Sequence, residues 1–244
     1  MKNQTVSPNF DNLVQYEDLL AMTNEVNSNS ANGSVFSFLR NNHKSLPNVL
    51  FITSYPPTDC GNTTYTQDLM NAIKNKFGKS FSLKVCALQE KDTELSYPDE
   101  VKYVLNTNKL EQYDLLAQNI NSDTKLDIVF IQHEFGLYGG NYGDYLLQLL
   151  GEINKTVITA FHTVLPNPNP ELLTVVQSIA TLSNGLVVMT QNAADILMKE
   201  YDVPAEKIIV IAHGTHLIYF RDCTDKLGIT ELMAKQTEFE LVQS

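Results

Sequence analysis

From Pro47 onward, short apolar runs alternate with stretches of helical period, and this alternation limits the fold more than any other feature of the chain. The runs are Val49–Thr53, Phe81–Val85, Val101–Leu105, Asp127–Ile131, Thr156–Ala160, Gly185–Met189 and Lys207–Ile211. The helical stretches cover approximately 64–76, 110–121, 142–154, 170–182 and 193–201. Strands of near-continuous Val, Ile and Leu have both faces buried, and parallel neighbours must be joined by a crossover helix. The expectation is an α/β domain: a doubly wound, Rossmann-like parallel sheet with helices on both faces. Helix ends agree with this. Thr190 or Asn192 can cap the last of the helices, and Pro204 closes the turn before the last strand.

Composition changes near Lys44. Residues 1–44 are rich in Asn and Ser, and 27–33 read as a flexible linker. Phe10, Leu13, Val14, Leu20 and Val26 lie roughly along one helical face, so the arm is either a short docking helix or a semi-ordered tail. The expected domains are a polar arm over 1–45, a Rossmann-like domain over 46–218 and a helical tail over 219–244.

A net charge of −11 argues against nucleic acid or an anionic membrane as partner, because both reward clustered Lys and Arg. Cys60, Cys86 and Cys223 stand at no metal-ligand spacing, and an odd number leaves one unpaired, which fits free thiols in a reducing compartment. With no apolar signal region behind a basic start and no run of bilayer-spanning length, the expected location is the cytoplasm, with no transmembrane segment.

In a doubly wound sheet, ligands bind beyond the carboxyl ends of the strands. Four of the five histidines fall there, in the loops beginning at Gln132, Phe161 and Ala212. The loop after the first strand, Ser54 to Tyr65, contains Gly61 at the entry to a helix. Glycine there lets backbone approach an anion such as a diphosphate, or simply completes a strand-to-helix turn. His133-Glu134 can bind sugar hydroxyls or do acid–base work, with Tyr138 and Tyr142 as stacking surfaces, or can be a solvated pair in a flexible loop. The Gly139-Gly140 pair suits a mobile lid or a close backbone approach. His162, followed by the stiff Leu165-Pro-Asn-Pro-Asn-Pro170, is either a ligand contact or a satisfied structural histidine. His213 and His216 do not complete a zinc set. Dinucleotide, Walker and nucleophile-elbow motifs and an Asp-x-Asp pair are all absent, which removes support for hydride transfer, NTP hydrolysis, serine hydrolysis and a metal-clamped sugar donor.

Taken in order, Val49 to Leu69, Gln132 to Gly143, Phe161 to Pro168 and Val210 to Thr215 resemble the landmarks of the amino-terminal domain of glycosyltransferase family 4. The resemblance covers roughly Pro47 to Leu217. It implies one half of a GT-B fold: two Rossmann-like domains that transfer a sugar from a nucleotide donor with retained configuration. It implies no cofactor and no obligatory metal. Gly61 and Asn62 would lie near the donor diphosphate, and His162, with Thr163, beside the donor sugar as the catalytic position. His133, Glu134, Tyr138, Gly139 and Gly140 would face the acceptor, and His213 would mark the end of the domain. The family continues into a donor domain with two glutamates spaced eight apart, whereas this chain offers about one further helix, near 225–241. The expectation is an acceptor-side half, inactive alone, whose partners are a nucleotide sugar, a glycan or other acceptor, and a separate donor-domain chain. The alternative is a non-catalytic glycan- or protein-binding module on the same fold.

Overall fold

The computed structural model describes residues 47–78, 82–92 and 95–212. The expected arm, the carboxy-terminal tail, His213 and His216 lie outside the described residues. Strands β1 (Val49–Thr53), β2 (Leu83–Gln89), β3 (Val101–Asn106), β4 (Ile128–His133), β5 (Thr156–Phe161), β6 (Gly185–Val188) and β7 (Ile208–Val210) form one sheet in the order β3-β2-β1-β4-β5-β6-β7. Every pair is parallel. The helices are α1 (Gly61–Phe77), α2 (Leu110–Ser122), α3 (Tyr145–Glu152), α4 (Pro170–Leu182) and α5 (Gln191–Glu200). The doubly wound Rossmann-like α/β fold expected from the alternation is the fold observed.

The two faces of the sheet are covered unequally. On one face, Leu50, Ile52, Leu88, Val129, Ile131, Phe161 and Val188 pack with apolar residues of α2, α3, α4 and α5. On the other, Val49, Phe51, Val85 and Ala87 pack under Leu69, Met70 and Ile73 of α1. A smaller cluster of Ala160, Val187 and Met189 continues that second face, with Tyr65 of α1 against it. Progression from β4 through β7 in one direction puts α3 to α5 on a single side. The reversal from β1 to β2 puts α1 on the opposite one, as right-handed crossovers require.

The element ends differ from expectation where backbone geometry overrides pattern. Strand β2 runs on through Cys86-Ala-Leu-Gln89, residues of weak strand preference that are nonetheless enclosed between β1 and β3. Helix α3 starts at Tyr145 rather than at Tyr142, because Tyr142 and Gly143 have φ of 54° and 81°, outside helical space. Helix α4 has the expected span. Asn169 Oδ1 accepts from the Leu172 N–H at 2.9 Å, and Pro170 fits the first turn. Of the two candidate caps for α5 it is Thr190 that acts, its Oγ1 accepting from the Ala193 N–H at 3.1 Å.

Tyr113 of α2 ties the helical layer to the loop after β4. Its ring is fully buried, its hydroxyl donates to the Thr107 carbonyl at 3.0 Å, and it accepts from the Gly139 N–H at 3.3 Å. Tyr113→Phe leaves a buried acceptor and a buried donor unpaired at once. Loss of about 1–3 kcal/mol of unfolding free energy in urea titrations is expected, with the slope of the transition unchanged.

Candidate functional site

The sheet order changes direction at β1: β2 and β3 lie to one side, β4 to β7 to the other. The loops leaving β1 and β4 therefore diverge and open a crevice, the usual ligand position in such sheets. The chain borders it with the start of α1, with Gln132-His133-Glu134 at the end of β4 and with His162-Thr163 after β5.

The approach to α1 is held down from both ends. Tyr55 is buried and its hydroxyl donates to Glu100 Oε1 at 2.9 Å; burial first, then the bond and charge of Glu100, push its pKa upward. Thr53 Oγ1 and Thr66 Oγ1 meet at 3.3 Å and couple the end of β1 to the second turn of α1. Gly61 is exposed, and a Cβ added there would meet nothing within 4 Å. Among the described residues no packing demands glycine at this position, the first of the helix. Asn62 follows, half-buried.

Cys60 sits just before that helix start, its Sγ 3.0 Å from Ser54 Oγ and 3.4 Å from Thr63 Oγ1. Burial pushes its pKa up, but these two hydroxyls and the amides of Thr63 and Asn62 outweigh burial, and the net shift is downward. Cys86, fully buried in β2, is shifted upward by burial alone. A thiol reagent is therefore expected to modify Cys60 in the native protein and Cys86 only on unfolding, as read by peptide mass spectrometry.

At β4, successive residues face opposite sides of the sheet. His133 points into the main core, fully buried among Phe161 (ring centroids 4.9 Å), Phe135 (5.2 Å) and Tyr138 (6.0 Å, stacked). Neither ring nitrogen has a partner among the described residues. Tyr138 is also in the core, where its hydroxyl donates to the Gln132 carbonyl at 3.0 Å. Gly139 is required by packing: a Cβ there would lie 2.2 Å from the Thr107 carbonyl oxygen. Gly140 is exposed with φ of 82°, and Tyr142 at φ 54° accepts from Asn169 Nδ2 at 2.7 Å, which fastens this loop to the start of α4. The close approach around Gly139 is to the protein's own backbone.

Gln132 and His162 lie together on the other face of the sheet. His162 Nε2 bonds Gln132 Oε1, and the edge of one ring meets the face of the other between His162 and Tyr65, centroids 5.0 Å apart. Beside them Thr163 Oγ1 donates to Glu134 Oε2 at 2.8 Å, and Glu134 Oε1 accepts from the Phe135 N–H at 3.0 Å. The structure thus brings Glu134, His162 and Thr163 together at the crevice. It puts the rings of His133 and Tyr138 behind them in the core, although the His162 N–H bonds the His133 carbonyl at 3.0 Å. Sequence reasoning did not single out Gln132 or Tyr65. A glutamine inside the otherwise apolar Ile128-Val-Phe-Ile-Gln132 is the signal that marks the first; Tyr65 carries none without the fold.

Among the described residues, no three or more His, Cys, Asp or Glu gather as a metal set, and no helix is long and apolar enough to cross a membrane. No protein-family model matches the chain. No curated protein matches it. Solved structures do. An alpha-glucosyltransferase in complex with UDP and a 13-mer DNA containing a HMU base aligns at 14% identity and TM-score 0.49, over 72% of this chain and 44% of that one. A glycosyltransferase from Rickettsia africae ESF-5 aligns at 15% identity and TM-score 0.47, over 80% and 50%. Homoserine dehydrogenase from S. aureus aligns at 16% identity and TM-score 0.33, over 58% and 31%. The chain spans between 37% and 50% of the length of the glycosyltransferase structures it matches.

Burial first, then the nearby His162, pull the His133 pKa down to about 3. The unfolded chain protonates this imidazole near its ordinary value of about 6.5. Between these values the unfolded state binds the extra proton, so stability is intact above about pH 6.5 and is lost as pH falls. A loss of about 2 kcal/mol between pH 7 and pH 5 is expected from this group. Urea titrations of His133→Phe should show a correspondingly smaller loss over the same range.

Proposed function

We propose that this chain is the acceptor-side, Rossmann-like half of a retaining, nucleotide-sugar-dependent glycosyltransferase of GT-B architecture. The observation that carries the reading is the meeting of His162, Gln132 and Tyr65 with the start of α1 at the reversal point of the sheet. A 17-residue helix directs the partial positive charge of its first amides at the crevice, where a diphosphate leaving group gains negative charge. Exposed Gly61 lets that group approach the backbone without a Cβ in the way. His162 supplies a hydrogen-bonding imidazole for a donor-sugar hydroxyl, and the Glu134–Thr163 pair lines the path by which an acceptor hydroxyl enters. His133, Tyr138 and Gly139 take part by supporting that edge from behind rather than by touching substrate.

In this reading the nucleotide sugar is a co-substrate and there is no resident cofactor. Most contacts to it belong to a second Rossmann-like domain, supplied by this polypeptide or by another chain. Without those contacts the half binds donor weakly and turns over little. A net charge of −11 favours a glycan or other uncharged acceptor over a nucleic acid.

The test is titration of the chain with UDP-glucose, followed by NMR shift perturbation. Weak binding that perturbs Gly61, Asn62 and His162 is expected, and His162→Ala should weaken it about tenfold, the worth of one hydrogen bond of about 1.4 kcal/mol. Failure of any nucleotide sugar to perturb these residues, or equal affinity in His162→Ala, would sink the proposal.

A further inference from the structure

We infer that the amino-terminal arm is a packed part of the domain: Phe10, Leu13, Val14 and Leu20 seat a short helix on β5, β6 and β7, on the α1 side of the sheet.

The topology leaves one face of the sheet short of cover. Among the described helices, α2 to α5 pack on the main face and α1 alone lies on the other. A helix is about 10–12 Å across and neighbouring strands are about 4.8 Å apart, so one helix screens about two strands. Helix α1 sits over β1 and β2, with Val49, Phe51, Val85 and Ala87 beneath it. Past β4, alternation turns a further set of side chains to that same side. They are Ile158 and Ala160 of β5, Val187 of β6 with Met189 beyond it, and Ile209 of β7 with Ile211 beyond it. All six are apolar.

This strip is not exposed as a bare sheet face would be. Ala160 is fully buried, Val187 is 4% and Met189 9% exposed, and Ile158, Ile209 and Ile211 are half-buried. Among the described residues, Tyr65 is the one helical side chain packed on this cluster, and a single ring does not cover three strands. Pairing shields the edges of a strand and not its faces, so a further segment has to lie on top. Residues 1–212 form one compact unit and 213–244 a second. Within the first, 79–81 and 93–94 are too short to cover even one strand, which leaves the arm. Its entry suits the task. The Asn48 N–H donates to Asp127 Oδ2 at 2.9 Å and Asn48 Nδ2 to the Lys125 carbonyl at 2.7 Å, fastening the chain to the β4 side of β1. From there β6 is about 15 Å away, a distance that 27–46 span easily when extended. Phe10, Leu13, Val14 and Leu20 fall on one side at helical period and supply the apolar stripe that such a cover needs. So placed, the arm also backs Tyr65, whose ring meets His162 at the crevice.

The chain contains no tryptophan, so Phe10→Trp makes the arm its own fluorescence reporter in the full-length protein. Expected is emission shifted to the blue of the urea-unfolded chain, with weak acrylamide quenching. Adding Ile209→Glu, which sets a charge in the strip, should move the emission to the red and restore quenching. Leu115→Glu, on an exposed part of α2, should change neither. If circular dichroism shows that Ile209→Glu unfolds the chain, methyl NMR of the wild type decides the placement without any substitution. Cross-peaks from the Phe10 ring to Ile158, Val187 or Ile209 are expected there, and none between molecules in a half-filtered spectrum of mixed labelled and unlabelled chain. Cross-peaks between molecules would put a second copy on the strip, and cross-peaks from 213–244 to Val187 would put the tail there; either overturns the inference. So does a Phe10→Trp emission that matches the unfolded chain, or one that a folded Ile209→Glu variant leaves unmoved.

Discussion

Parallel pairing of β1 with both β2 and β4 is the constraint on which the rest of the molecule depends. A parallel pair cannot be closed by a hairpin, so each neighbour must be reached through a crossover, and right-handedness decides which face each crossover covers. The chain travels one way from β1 to β2 and the other way from β4 to β7, so its helices divide between faces and its loops part between β1 and β4. The crevice follows from topology before any side chain is considered. The polar residues around it are those that the strand ends deliver.

Beyond the last backbone pairs of β4 and β5, side chains continue the connection. Gln132 bonds His162, and Glu134 accepts from Thr163, so two rungs of side-chain hydrogen bonds extend the β4–β5 seam into the loops. The seam behaves differently on its two faces. Toward the main core, His133 is enclosed by aromatic rings and kept neutral over a wide pH range. Toward α1, His162 remains half-buried and in contact with groups from β4 and α1. Alternation along the strand separates a histidine that reinforces the wall from one that meets the crevice.

Much of the fold was legible in the linear text. The spans of β1 and α4 match expectation because their signals are local: four apolar residues and a threonine ahead of a turn in one, and Asn169-Pro170 opening an apolar helix in the other. The start of α3 was misplaced because Tyr142 has a positive φ, which nothing in a tyrosine announces. The end of β2 was hidden by Cys86 and Ala87, which take strand geometry from their neighbours rather than from their own preference. At the site, the placement of histidines after strands was visible. The inward turn of His133 and Tyr138 was not, since it depends on which face each strand end presents.

By itself, the sequence determined the class of fold, the direction of its strands and the loops that reach the carboxyl edge. Those properties follow from hydrophobic period and turn chemistry, which act over a few residues. Only the tertiary structure decided that Gln132 and Tyr65 join His162, that Gly139 serves internal packing and that Gly61 faces open space. These facts depend on side chains 30 or more positions apart meeting across strands, or failing to meet. Such meetings are set by strand order and face, which no local pattern encodes.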